Sequence, residues 1–246
     1  MNTIIKSLIK ATYTELKIYL REPLAAMMSF IMPLFFLLII MEGIVPLKDP
    51  CINQVVPSMM LLVTVSNALY ILPVSITSYR SIKYFTRVKA SSLSPLFILL
   101  SIGIANFVMT FLGIMAIVIL GISVYGAEFD GTIFSFSFGF FLTVFSMASI
   151  GFLIASLCRT VRDAEGVGEL VMFVMMFFSG LFIPLEIQPD WVGNYIAPFL
   201  PTSYGVELLK ELWIGEPIGY FLFEILVLIG VSCIGLIVSV MRFQLE

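Results

Sequence analysis

The stretch ELVMFVMMFFSGLFIPLEIQPDWV, residues 169–192, poses the question on which the fold turns. An apolar run of membrane grade meets Pro184, Glu186, Pro189 and Asp190 and has to stop. The chain beyond stays rich in Tyr, Phe, Leu and Trp, with Pro198 and Pro201 among them. It is too apolar for an ordinary solvent loop and too broken to cross a bilayer, because irregular backbone facing lipid has no hydrogen-bond partners. The expectation for 186–216 is therefore a structured segment held at one membrane face, first a turn or hairpin dipping partway in, then a short amphipathic helix.

Composition places that segment in an integral membrane protein. Hydrophobic residues make up 60% of the 246 and charged residues 12%, with a mean hydropathy of +1.10. Soluble domains average about 45–50% apolar and about 25% charged. The expected fold class is all-α, a single transmembrane domain over 1–246. The complete lack of histidine excludes Ser-His-Asp and Cys-His catalysis, histidine-ligated metal or haem, and histidine proton relays. Cys51, Cys158 and Cys233 stand isolated, without CxxC or metal spacing, and no intrachain disulfide is expected. The first apolar core begins only near Leu24, is span-length and lacks a small-x-small site, so it reads as a span rather than a cleavable signal.

A crossing needs roughly 20 apolar residues. Six stretches qualify, at about 24–41, 55–78, 95–121, 133–157, 167–185 and 218–241, the first and fifth being short. Eleven of the thirteen Lys and Arg fall on one side of that topology, leaving only Lys48 and Lys210 on the other. The positive-inside rule then puts both termini in the cytoplasm, in a cell membrane. Before the first span, residues 1–22 carry Ile5, Leu8, Ile9, Thr12, Leu16, Tyr19 and Leu20 at helical spacing, with Lys6, Lys10 and Lys17 off that stripe. This reads as an interfacial helix with basic groups toward lipid phosphates, a merely basic flank being the plainer alternative. The loop SYRSIKYFTRVKASSLSP, 78–95, interleaves Arg80, Lys83, Arg87 and Lys89 with Tyr79, Ile82, Tyr84, Phe85 and Val88. A short amphipathic helix under the membrane, offered to a cytoplasmic partner, competes here with a plain positive-inside loop. In 201–217, Leu208, Leu209, Leu212 and Trp213 share a face opposite Glu207, Lys210 and Glu211, which suits a helix on the outer leaflet with Trp213 at the interface.

No GxxxxGK[ST] or GxSxG motif is present, nor a pair of intramembrane aspartates. Candidates for a translocation path are Asn67, Asn106 and Glu224, although amides and hydroxyls within spans more often bond between helices. Glu224, well inside the sixth stretch, is either near water or functional. Pro33, Pro57 and Pro73 are expected to kink their helices.

Three stretches carry a family likeness: ELKIYLREPLAAMMSFIMPLFFLLII, the loop YRSIKYFTRVKASSLSP, and FSGLFIPLEIQPDWVGNYIAPFLPTSYGVELLKELWIG. The chain resembles the permease subunit of type-2 ABC exporters, which include drug, antibiotic-peptide and polysaccharide exporters. In order, Ser179, Gly180, Pro184, Glu186, Pro189, Trp191, Pro198, Pro201 and Tyr204 fit the family's pattern in the last stretch. The resemblance implies a transporter subunit without catalytic activity of its own, moving an amphipathic or hydrophobic cargo such as a drug, peptide or lipid-linked glycan. It implies two cytoplasmic P-loop ATPase subunits, with ATP and Mg bound there and not by this chain, and a second permease copy or related permease among membrane lipids; no nucleic acid is expected. Residues 1–22 would be the elbow helix. The 78–95 loop would hold the coupling helix, with Arg80, Lys83, Tyr84, Arg87 and Lys89 as ATPase-coupling residues. The 186–216 region would form the external gate, with Pro184, Glu186, Pro189, Trp191, Pro198 and Pro201 as its residues. Where family members often carry an acid and a glycine in the coupling loop, this chain has Ser81 and Ile82. The competing class is an ion-coupled secondary transporter, which calls for midplane acids and an internal repeat.

Overall fold

The computed structural model describes residues 2–21, 27–44, 52–89 and 95–242. Pro23, Lys48, Cys51 and Ser91 lie outside the described residues, as do the side chains of Lys89 and Glu186. The described chain is helical throughout: α1 (Asn2–Arg21), α2 (Met32–Ile39), α3 (Ile52–Ser66), α4 (Leu72–Ser81), α5 (Tyr84–Lys89), α6 (Pro95–Ser123), α7 (Ile133–Leu157), α8 (Val161–Phe178), α9 (Pro201–Trp213) and α10 (Leu222–Arg242). Among the described residues, four continuous helices are long and apolar enough to cross a membrane: Ile52–Ser81, Phe97–Ser123, Ile133–Leu157 and Ile218–Arg242. The first of the six expected spans corresponds to a shorter apolar helix, Ser29–Glu42.

The fifth expected span, 167–185, is shifted toward the N-terminus in the structure. α8 starts six residues earlier because Thr160 accepts a bond from the Asp163 backbone N–H while the Asp163 carboxylate accepts one from the Thr160 N–H. This reciprocal cap satisfies two helix-start donors and draws Arg162, Asp163 and Glu165 into the helix. The helix ends at Phe178, before Gly180 turns to φ +79°.

α3 and α4 form one central rod, almost wholly buried, interrupted by a widened π-helical turn at Asn67–Ile71. Proline explains the widening. Pro73 has no N–H to donate and its ring would collide with the carbonyl four residues back, so the ladder skips a residue and the Leu72 N–H bonds to the Asn67 carbonyl. Pro33 stands likewise just after the widened turn Met27–Ile31, whereas Pro57 lies inside α3. Two glycines let neighbouring helices close on the widened turn. A Cβ on Gly151 of α7 would collide with the Ala68 carbonyl, and one on Gly168 of α8 would come 2.5 Å from the Leu69 carbonyl.

The most extensive helix pairing joins α7 and α10, which are not consecutive in the chain. Their seam is small and polar: a Cβ on Gly235 would lie 2.7 Å from the Ser149 Oγ, and the Ser239 Oγ donates to the Phe152 carbonyl at 3.1 Å. Small residues that let backbones approach are the expected means of helix association where water supplies no hydrophobic drive.

α9 departs from expectation. Its apolar face does not rest on lipid; it packs on α3, α7 and α10, with Leu208, Leu209, Leu212 and Trp213 buried. Trp213 is 2% exposed, not interfacial. Its ring meets Phe129 and Phe136 edge-on at 5.1 and 5.5 Å, and its Nε1 donates to the Glu128 carbonyl at 2.8 Å. An amphipathic stripe records only that one face is apolar, and cannot tell lipid from protein.

Candidate functional site

The loop 78–95 folds into a reversal and a docked helix. α4 ends at Ser81, and the chain turns through Lys83, a non-glycine residue in the left-handed region (φ 55°) whose N–H donates to the Arg80 carbonyl at 2.9 Å. α5 then lays Phe85 and Val88 into a cluster of Leu72, Ile76, Ile98, Ile102 and Ala155. Burial on that side leaves Ser81, Ile82, Lys83, Thr86 and Arg87 exposed. The surface is thus cationic around one apolar side chain, Ile82. Tyr84 is half-buried, its ring 5.0 Å from that of Tyr79.

Arg80 behaves differently from its cationic neighbours. Its Nη1 donates to the Cys158 carbonyl at 2.8 Å and its Nη2 to the Ala155 carbonyl at 2.9 Å. These are carbonyls at the C-terminal end of α7, the end that lacks intrahelical partners and carries partial negative charge. Beside them, burial pushes the Cys158 thiol up from its ordinary value, the charge of Asp163 adding to the effect and Arg80 opposing it.

α1 joins this end of the bundle by its inward side. The Tyr79 Oη donates to Glu15 at 2.7 Å, and α1 packs along α6. Of the predicted stripe, Leu8, Thr12, Leu16 and Tyr19 are at least partly covered, whereas Ile9 and Leu20 are exposed. Tyr19 reaches furthest, into a buried network in which its Oη (2.7 Å) and the Ser29 Oγ (2.5 Å) both donate to the Asn67 Oδ1. Asn106 Nδ2 donates to the Asn67 carbonyl at 3.1 Å. Asn67 is wholly enclosed, while Asn106 reaches the wall of an apolar cleft of about 620 Å3 flanked by Leu100, Ile104, Phe107, Phe141 and Phe145.

At the opposite end, the segment after α8 is built of short turns. Pro184 and Pro189 are exposed and bracket a 3-10 turn, Leu185–Ile187, and Gln188 Nε2 donates to the carbonyls of Ile183 (2.6 Å) and Phe177 (3.1 Å). Trp191 is half-exposed, its ring 6.5 Å from that of Phe178. Pro198 is exposed and its carbonyl accepts from the Tyr204 Oη at 2.8 Å; Pro201 opens α9. Ile187, Tyr195 and Phe199 are all more than 70% exposed. Desolvation, and then the carboxylates of Glu224 and Glu211, hold the Glu207 carboxyl above the usual carboxylate range. One carboxylate oxygen of Glu224, Oε2, is enclosed without a hydrogen-bond partner.

The ABC-2 type transporter family model matches residues 7–214, which takes in every one of these features except Glu224. The chain belongs to the ABC-2 type transporter family. It is 24% identical over 163 residues, 66% of its length, to a probable multidrug ABC transporter permease, YbhR, of Escherichia coli K12, and 29% identical over 97 residues, 39% of its length, to Nodulation protein J of Rhizobium leguminosarum bv. viciae. These matches span 44% and 36% of the two relatives. Membership makes the chain part of a membrane transporter family.

Within that family frame, two site features escaped sequence reading. The widened turn at Asn67–Ile71 had a readable trace in Pro73, which marks a broken ladder but not how it is repaired. The Arg80 bonds to α7 had none, since they join residues 75 and 78 positions apart.

Proposed function

We propose that this chain is the transmembrane permease subunit of an ATP-driven exporter, moving an amphipathic or hydrophobic substrate outward. The observation that carries the reading is α5, a short helix fixed to the bundle by Phe85 and Val88 and presenting Ile82, Lys83, Thr86 and Arg87 outward. A helix anchored on one side and offering cations around one apolar side chain suits a soluble partner that both grips and pushes.

In this reading the α5 end and both termini are cytoplasmic, and two P-loop ATPase subunits, holding ATP and Mg, seat against α5 in a dimer of permeases. The six-span topology, with α2 and α8 as the first and fifth crossings, rests on packing within such an assembly. The 186–216 region forms the external gate, with Pro184, Glu186, Pro189, Trp191, Pro198 and Pro201 as its residues. The exposed Ile187, Tyr195 and Phe199 support that role, since a rim meeting amphipathic cargo needs apolar groups that soluble loops do not carry. The name of one relative, a probable multidrug permease, is consistent with a cargo of this chemical class.

Purification in mild detergent from native membranes tests the reading. A P-loop ATPase should co-purify in stoichiometric amount and be released by Lys83→Glu with Arg87→Glu. Recovery of the permease with no ATPase under gentle conditions would refute it and turn attention to ion coupling through Glu224.

A further inference from the structure

Arg80 sits one residue before the end of α4, at the root of the reversal into α5. Its guanidinium spans the Ala155 carbonyl of α7 and that of Cys158, the residue just past the end of α7. Its neighbour Tyr79 faces the other way, bonded to Glu15 of α1 and packed on Tyr84 of α5. Two adjacent side chains thus tie the α4–α5 corner to α1 on one flank and to α7 on the other. α7 in turn makes its broadest contact with α10 through the Ser149–Gly235 seam.

We infer that Arg80 is a positioning residue that hands movement of α5 to α7, and through the seam to α10, rather than a residue gripped by the ATPase. The inference rests on the reading of α5 as the element the ATPase moves. The chemistry requires arginine. A planar fork reaches the two carbonyls from two separate nitrogens in a fixed geometry, whereas lysine carries its donors on one nitrogen at the end of a flexible stem and does not reproduce that spacing. The α7 carbonyls are helix-end acceptors with no ladder partner, so the guanidinium is their cap as well as their tether.

Hydrogen–deuterium exchange of the permease with its co-purified ATPase, with and without vanadate-trapped nucleotide, tests this. In the parent, trapping should change exchange in peptides from both α5 and the last turns of α7. In Arg80→Gln the ATPase should still co-purify and α5 should still respond, but the α7 response should be lost. Arg80→Lys should resemble Arg80→Gln, and serves alone if the glutamine variant does not fold. A purely structural cap would speed α7 exchange equally in both nucleotide states without separating it from α5. An α7 response unchanged from the parent overturns the inference, and so does release of the ATPase by Arg80→Gln, which would make Arg80 a partner contact. Absence of ATPase from the parent preparation overturns the subunit reading itself, and is visible before any variant is made.

Discussion

Tyr19 and Asn67, 48 positions apart, share a 2.7 Å hydrogen bond inside the bundle, and Ser29 donates to the same amide oxygen at 2.5 Å. One acceptor therefore gathers the N-terminal helix, the segment leading into α2 and the widened turn of the central rod. Asn67→Ala leaves two buried hydroxyls without that acceptor, at a cost of about 1–3 kcal/mol. A triple variant, Tyr19→Phe with Ser29→Ala and Asn67→Leu, should lose less than Asn67→Ala alone, because nothing buried is then left unpaired. Unfolding midpoints in detergent decide the order.

The glycines beneath the widened turn give a graded test. Gly151→Ala and Gly168→Ala force a methyl onto the Ala68 and Leu69 carbonyls and should each cost about 1–3 kcal/mol through overpacking. Gly166, in the same helix as Gly168, has nothing within 4 Å of its would-be Cβ. Gly166→Ala should be neutral or stabilising by up to about 1 kcal/mol. Equal effects at all three positions would contradict the close approach.

Lys83 carries a side chain where backbone geometry favours glycine. Lys83→Gly should stabilise the reversal by about 1 kcal/mol, the ordinary cost of a left-handed non-glycine residue. It also removes a cation from the α5 face. On the proposed function, raised thermal stability with weakened ATPase retention would separate backbone strain from partner contact within a single variant.

Trp213 fastens α9 to the 124–132 connection through Phe129 and the Glu128 carbonyl, and to α7 through Phe136. Trp213→Ala should cost about 3–5 kcal/mol, as large-to-small changes of buried aromatics do. Trp213→Phe keeps most of the packing and forfeits one hydrogen bond, about 1 kcal/mol. Tryptophan fluorescence reports the site, since Trp191 is the one other tryptophan in the chain.

The raised pKa of Glu207 fixes a direction with pH. Its folded value lies above its unfolded one, so the native state holds the proton more tightly and stability falls as pH rises through the interval between the two. Glu207→Gln should therefore raise the melting midpoint at about pH 8 and leave it unchanged below about pH 3, where the carboxyl is protonated in both states. Glu224→Gln should shift the midpoint at the higher pH in the same direction, by removing the next largest cause of the shift.

Legibility followed the reach of the physics. α6 and α7 lie where the apolar runs lie and α10 begins four residues inside its run, because a long apolar run bounded by turns and charges is a local property. α8 was mispositioned because apolarity was read from Val167 onward, while the helix is started by the Thr160–Asp163 cap among charged residues. That T-x-x-D signal was present in the sequence and outweighs hydropathy at a helix start. The amphipathic faces of α5 and α9 were visible, but what each face meets depends on helices far away in the chain. Phe85 against Ala155, and Trp213 against Phe129, are decided only when the bundle closes.

The pairing of α7 with α10 also sets an order of assembly. When α7 leaves the ribosome, its broadest partner is still unsynthesised, and Ser149, with the seam that Gly235 will fill, faces whatever is next to it. During that interval the helix is sheltered by lipid or by the insertion machinery. A chain truncated before Leu222 would thus keep its most extensive internal surface bare, open to the wrong neighbour, until α10 arrives to commit the fold.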